Sequence, residues 1–295
     1  VFERREKFIL DKTAKSGAEH GEIYVQSWIQ QKANISVVIS HGHGEHSEAY
    51  HRAISEMIEK NEIAQRINFY AWDLPGHGRS YGQRGHIFHF DEYVESLDRV
   101  LRFLLREEIE GPLVLFGHSM GGLVLSRWAE RFSVSNIAGF AFSSPLMGIA
   151  IPVAGVKKKL AEILSQWAPR FAMSNQIRYE DLSRDTRVTS GYYKDPLRHD
   201  RVSSRLFTEM VEAMNLAIQE ATEIKMPCLV QLAGTDRIVN GAMGQKFFEK
   251  LASPEKELKI YRDFYHEIFN DLGRELVQED FLSWVKSVIR SQSVQ

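Results

Sequence analysis

The chain predicts an α/β fold: a mainly parallel central sheet covered by helices on both faces, with a helical cap inserted late in the order. Three observations predict it. The runs NISVVIS (34–40), INFYAWDL (67–74), PLVLFG (112–117), IAGFAF (137–142) and CLVQLA (228–233) are nearly continuous in apolar residues, as strands buried on both faces are. Segments of helical periodicity alternate with them, which is the pattern of βα units. The alternation breaks between residues 146 and 223, where KKKLAEILSQWAPRF and RLFTEMVEAMNLAIQEA read as helices and no buried strand is evident.

In chain order, EIYVQSW (22–28) opens the sheet and NISVVIS follows it. Residues 48–60 have helical spacing at Ala53, Ile54, Met57 and Ile58. After INFYAWDL, residues 91–109 form a long amphipathic helix through Tyr93, Val94, Leu97, Val100, Leu101, Leu104 and Leu105. PLVLFG runs directly into a helix over 120–132. Beyond the break, CLVQLA and ELKIY (257–261) are strands and 242–252 and 275–290 are helices. The expected organisation is a core of residues 1–145 and 224–295 with a cap of residues 146–223. The charged opening, VFERREKFIL, reads as a solvated flank with no apolar targeting segment.

Composition narrows the function. Hydrophobic residues are 43% and charged residues 26%, ordinary for a globular protein and unlike a disordered one. A net charge of -2 gives no pull toward nucleic acid. The single cysteine, Cys228, forms no internal disulfide. The longest uncharged run, Phe132 to Val156, would be long enough to span a bilayer, but Pro145, Pro152, four serines and an asparagine argue for a buried strand entering a loop. A soluble, cytoplasmic protein is the expectation, with peripheral membrane contact as an extension of it. Oligomeric state is left open.

The decisive segment is LVLFGHSMGG (113–122), where Gly117-His118-Ser119-Met120-Gly121 fits the G-x-S-x-G nucleophile elbow. A strand meeting a helix at a sharp turn lifts the Ser119 hydroxyl above the strand ends, and only small residues at 117 and 121 permit that turn. A neutral serine is a poor nucleophile and needs a base held by a third group. On this architecture the partners follow in the order serine, acid, histidine at later strand ends. Asp236 stands in the turn after CLVQLA and His266 in the turn after ELKIY. Asp263 lies too near His266 to face it from another strand, and Asp271 falls beyond it.

The stretch SHGHGEHSE (40–48) places His41, His43 and His46 close together with Glu45, which suggests a two-metal cluster. That reading needs further ligands downstream and leaves Ser119, Asp236 and His266 without a role. The alternative is an oxyanion loop: it follows the first strongly apolar strand and precedes a helix. Gly42 and Gly44 would let the His43 backbone N–H approach the reacting oxygen, with the Met120 N–H as second donor. His77, in DLPGHGRS, reads as a strand-end turn residue.

Taken together, HGHGEHSEAY, DLPGHGRSYGQRGHI, FGHSMGG, SSPL, AGTDRIV and YHEIFND resemble the monoacylglycerol lipase and lysophospholipase branch of the α/β-hydrolases. The resemblance covers most of the chain. It implies catalysis by Ser119, Asp236 and His266, oxyanion donors at His43 and Met120, no cofactor, no metal, and a cap shaping an acyl pocket. The substrate it implies is a small single-chain lipid ester. His43 departs from the small or apolar residue more usual there. A non-lipid carboxylesterase, a thioesterase, an aminopeptidase and a non-catalytic binding protein are the alternatives on the same scaffold. Within the cap, Val156, Leu160, Ile163, Leu164 and Trp167 share one helical face beside Lys157 to Lys159. That face either packs on its own domain or dips into a membrane or micelle.

Overall fold

The computed structural model describes residues 2–11, 21–151 and 155–292. The chain runs through β1 (Glu3–Asp11), β2 (Gly21–Ile29), β3 (Ile35–Ser40), α1 (His51–Lys60), β4 (Ile67–Trp72), α2 (Asp91–Glu107), β5 (Leu113–His118), α3 (Met120–Ala129) and β6 (Ile137–Ser143). Next come α4 (Gly155–Trp167), β7 (Ala172–Ser174), α5 (Thr186–Tyr192), β8 (Arg201–Ser203) and α6 (Ser204–Glu220). The last elements are β9 (Cys228–Ala233), α7 (Gly241–Lys250), β10 (Lys256–Tyr261) and α8 (Arg274–Gln292).

Eight strands form one sheet in the order β1-β2-β4-β3-β5-β6-β9-β10. Every neighbour from β4 to β10 is parallel, and only β2 runs against the rest. The period-two geometry of a strand sends alternate side chains to opposite faces. Leu113 and Leu115 of β5 therefore join the core under α2 and α3, while Val114 and Phe116 join the core under α1 and α8. Phe116 sits edge-on to Phe269 and Phe281, with ring centres 5.2 and 5.6 Å away. Both faces are thus covered, which accounts for strands without a wet side.

The N-terminal stretch differs from its sequence reading. It is an edge strand paired antiparallel to β2 over nine residues, not a solvated flank. Only Ile9 is buried among its apolar residues, while Phe8 and Leu10 are more than half exposed. Backbone pairing holds it, and its alternating charges guard the open edge as edge strands require; side-chain periodicity therefore carries almost no signal there.

Among the described residues between β6 and β9, none adds a strand to the central sheet. The chain does form a short antiparallel ribbon, β7 with β8, that the sequence reading missed. Leu206, Met210, Ala213, Met214, Ala217 and Ile218 of α6 bury against the main core. Helix α4 packs along α6 through Ser165, whose hydroxyl lies 2.8 Å from that of Thr208. Ala161 is buried and Leu164 half-buried, whereas Leu160 is 47%, Ile163 57% and Trp167 84% exposed. The side chains of Val156, Lys157 and Lys158 lie outside the described residues. Among the described residues, no helix is long and apolar enough to cross a membrane.

Candidate active site

Strand β5 ends at His118 and α3 begins at Met120, so Ser119 takes the whole turn. Its backbone sits at φ 51°, ψ -121°, a left-handed conformation costly for a residue with a side chain. The surroundings enforce it. The Ser119 N–H donates to the Ser143 carbonyl at 3.0 Å, and the Ser119 carbonyl accepts from Gly122, Leu123 and Leu146. Gly121 is needed behind it, because a Cβ there would lie 2.1 Å from the Ser40 carbonyl oxygen. The N-terminus of α3 lies directly behind Ser119, where the helix dipole favours negative charge.

The loop after β3 is built around Glu45, whose carboxylate accepts the Gly42 N–H and the Tyr50 hydroxyl. His41 is buried with both ring nitrogens engaged: Nδ1 meets the Gly42 carbonyl and Nε2 accepts the Leu74 N–H. His46 pairs with Asp195 at 2.8 Å. Among the described residues, the backbone N–H groups of His43 and Met120 donate to no other backbone group and no side chain. The His43 ring nitrogens are also buried without a partner, beside the rings of His77 and His199. His77 itself is buried with Nδ1 against the Pro75 carbonyl, as a turn residue. No three His, Cys, Asp or Glu side chains among the described residues converge as metal ligands would.

Asp236 and His266 meet. Asp236 Oδ1 accepts the Ile238 and Val239 N–H groups at 2.8 Å each, and its Oδ2 lies 2.8 Å from His266 Nδ1. With Nδ1–H donated to the carboxylate, Nε2 is the free basic nitrogen. Burial disfavours the charged form of His266, but the Asp236 carboxylate outweighs it and raises the imidazole above its ordinary value. Burial likewise opposes ionisation of Asp236, yet His266 and the two backbone donors hold it below the usual carboxylate range. Asp263 is exposed. Asp271 is fully buried in a separate cluster, accepting from Arg184 and the Tyr265 N–H. His118 is kept neutral, lowered to about 3 by burial and by His266, whose ring centre is 4.8 Å away.

Ser119, His266, His43 and Glu45 line one pocket with Ile177, Tyr179, Leu182 and Arg198 from the segment between β6 and β9. Sequence reasoning placed Ser119, His43, Asp236 and His266; Ser119, His43 and His266 line this pocket, and Asp236 is joined to it through His266. It did not find Arg198 or Glu267, which also line the cavity. Glu267 carried a weak signal as the neighbour of His266, whereas nothing in the spacing points to Arg198.

The strand order and the serine turn define a protein of the α/β-hydrolase fold. The chain belongs to the Hydrolase_4 family, described as serine aminopeptidase, S33, whose profile matches residues 31–273. The crystal structure of Paleococcus ferrophilus monoacylglycerol lipase superposes with a TM-score of 0.80 at 32% identity, covering 90% of this chain and 99% of that one. Phospholipase YtpA of Bacillus subtilis is 30% identical over 250 residues, 84% of this chain and 94% of that protein. An uncharacterized abhydrolase domain-containing protein of Dictyostelium discoideum is 29% identical over 90% of this chain, which spans 28% of that relative's length. The resemblance read from the motifs is borne out by these relatives.

Proposed function

We propose that the protein is a serine hydrolase that cleaves carboxylic esters of single-chain lipids, monoacylglycerol or lysophospholipid, to free fatty acid through an acyl-enzyme. The observation that carries this is Ser119, held in a strained turn and sharing a cavity with a histidine whose Nδ1 is fixed by Asp236. Ser119 Oγ attacks the ester carbonyl while His266 Nε2 takes the hydroxyl proton. The oxyanion is held by the His43 and Met120 N–H groups, each contributing on the order of 3 kcal/mol. His266 returns the proton to the departing alcohol. A water then attacks the acyl-enzyme with His266 again as base, releasing the fatty acid and restoring Ser119. Residues 1–145 and 224–295 supply this machinery, and residues 146–223 act as the cap. Names of the relatives support the lipid assignment, one being a monoacylglycerol lipase and another a phospholipase.

The cap also supports transient contact with a membrane or micelle. Leu160, Ile163 and Trp167 present an exposed apolar row, extended by the half-exposed Phe171 and Met173. Lys159, exposed at the start of α4, sits where it can meet phosphate head groups.

A second reading, peptide hydrolysis from a free amino terminus, is favoured by two carboxylates at the cavity, Glu45 and Glu267. Arg198 lies between them and offsets the attraction they would exert on an amine. The test measures fatty-acid release from a monoacylglycerol and a lysophospholipid of the same acyl chain, alongside an amino-acid p-nitroanilide, with Ser119→Ala as control. Release from either lipid, lost in the variant, supports the lipid reading. Cleavage of the anilide alone would transfer the assignment to the peptidase.

A further inference from the structure

One of the segments by which the cap reaches the floor of the site is residues 195–200. The His199 N–H donates to the Gly44 carbonyl at 3.1 Å, and Asp195 accepts from His46 at 2.8 Å. Gly44 takes φ +76°, and a Cβ on it would lie 2.4 Å from the His199 carbonyl oxygen, so the two backbones are in direct contact. Between these ties stands Arg198, with a side chain only 3% exposed. Its guanidinium lies 3.6 Å from the Glu45 carboxylate and 3.5 Å from that of Glu267, each 5% exposed. The Tyr192 ring stacks on it at 3.5 Å, and Arg198 Nε has no partner.

The two carboxylates belong to the two loops that the reaction needs in register. Glu45 holds the Gly42 N–H, and so shapes the loop that carries the His43 donor. Glu267 follows His266 directly, accepts from Tyr192 and from Asn270 Nδ2, and donates its own N–H to the cap at Leu182. We propose that Arg198 is a positioning residue of the cap: by bridging Glu45 and Glu267 it holds the oxyanion-donor loop and the His266 loop at their working separation. The proposal rests on the triad reading above.

A buried carboxylate–guanidinium–carboxylate triplet is an expensive way to obtain stability, since apolar replacements of such groups are often neutral or better. Its value lies in geometry: a planar fork can satisfy two carboxylates that would otherwise repel each other. Burial, and then Glu267, already raises the Glu45 carboxyl to about 7. Burial bears on Glu267 as well, but Arg198, together with His118 and the hydrogen bonds from Tyr192 and Asn270, holds that carboxyl below the ordinary range. The other titratable groups facing the triplet are His41 and Tyr50 beside the oxyanion loop, Tyr179, Tyr192 and Asp195 from the cap, and His118 and His266 from the core.

Without Arg198, the two carboxylates share one proton at low pH and separate when it leaves. The test compares Arg198→Met with the parent on a short soluble ester from pH 6 to 9. The expected kcat is about a hundredfold lower at pH 8, the size of effect that a 1 Å misplacement produces, with KM within about twofold. The ratio of variant to parent kcat should fall as pH rises. Adding Glu45→Gln, which keeps an acceptor for Gly42 and removes the repulsion, should recover at least tenfold. A loss that is equal at every pH and not recovered by the second change would overturn the proposal. If Arg198→Met does not fold, Arg198→Lys serves: its point charge reaches one carboxylate at a time, and parental kcat in that variant overturns the proposal. Ser119→Ala separates the two readings. Persisting turnover in it defeats the triad, whereas a dead Ser119→Ala beside a fully active Arg198→Met defeats the bridge alone.

Discussion

Helices α3 and α4 are both rich in apolar residues, and they end in opposite environments. Every residue of α3 from Met120 to Trp128 is buried, including both glycines and Arg127. On α4, Ala161 and Ser165 are covered by α6 while Leu160, Ile163 and Trp167 stand in solvent. Helix α3 is wedged beneath the elbow it must steady, so its glycines touch neighbouring backbone and leave no freedom. Helix α4 packs chiefly on α6 and leaves an apolar row in solvent. A helix that is apolar all round belongs to a core, and an apolar face left open belongs to a surface that something else covers.

The contrast predicts large effects in the core site and small ones on α4. Ser119→Ala is expected to cut kcat by about a millionfold, measured by fatty-acid release. Asp236→Asn is expected to cost about ten-thousandfold through the wrong imidazole tautomer; a mild loss would move the acid elsewhere. Because His266 is raised and must be neutral to act, kcat/KM in the parent should fall as pH drops through a value above 6.5.

Stability in acid tests how dry the core site is. His41, His77 and His118 are buried neutral, with His41 and His118 lowered to about 3 and His77 lowered well below its ordinary value. Once unfolded, each binds a proton near 6.5, so below that pH the unfolded chain holds more protons. Their contribution is fully present above about pH 6.5 and is lost as pH falls. Urea titrations should show about 1.4 kcal/mol lost per pH unit for each histidine; a flat profile from pH 7 to 5 would mean these rings are hydrated.

Gly121→Ala should cost roughly 3 kcal/mol or more by overpacking, because the new methyl meets the Ser40 and His41 carbonyls and neither can yield. At the other end of the scale, Ile163→Ser with Trp167→Ser on α4 should change stability by about 0.5 kcal/mol or less. It should leave hydrolysis of a short soluble ester intact and weaken binding to anionic lipid vesicles. Equal losses in ester hydrolysis and in vesicle binding would place that row in the fold rather than at a lipid surface.

Much of this was legible in the chain. Strands β3 to β6 and β9 are nearly uniform in apolar residues because both faces of the sheet are covered, and that leaves an unmistakable trace. Strand β1 left none, because backbone pairing holds it and its side chains mostly face water. The Asp236–His266 pair was readable from order and strand ends, since the fold brings successive strand ends to one rim. Arg198 was not, because an arginine in DPLRHD looks like any surface charge until the chain folds it between two acids. The α4 face was readable as apolar, yet whether it turned inward or outward depended on where α6 lay.

By itself the sequence determined the parallel sheet, the serine turn and the order of the groups that follow it, because these depend on local periodicity and on glycines at short range. Only the tertiary structure decided which charges meet across 69 and 153 residues of chain, as Arg198 does with Glu267 and Glu45, and which apolar face stays open. Such contacts depend on long-range packing, and no local pattern of residue types encodes them.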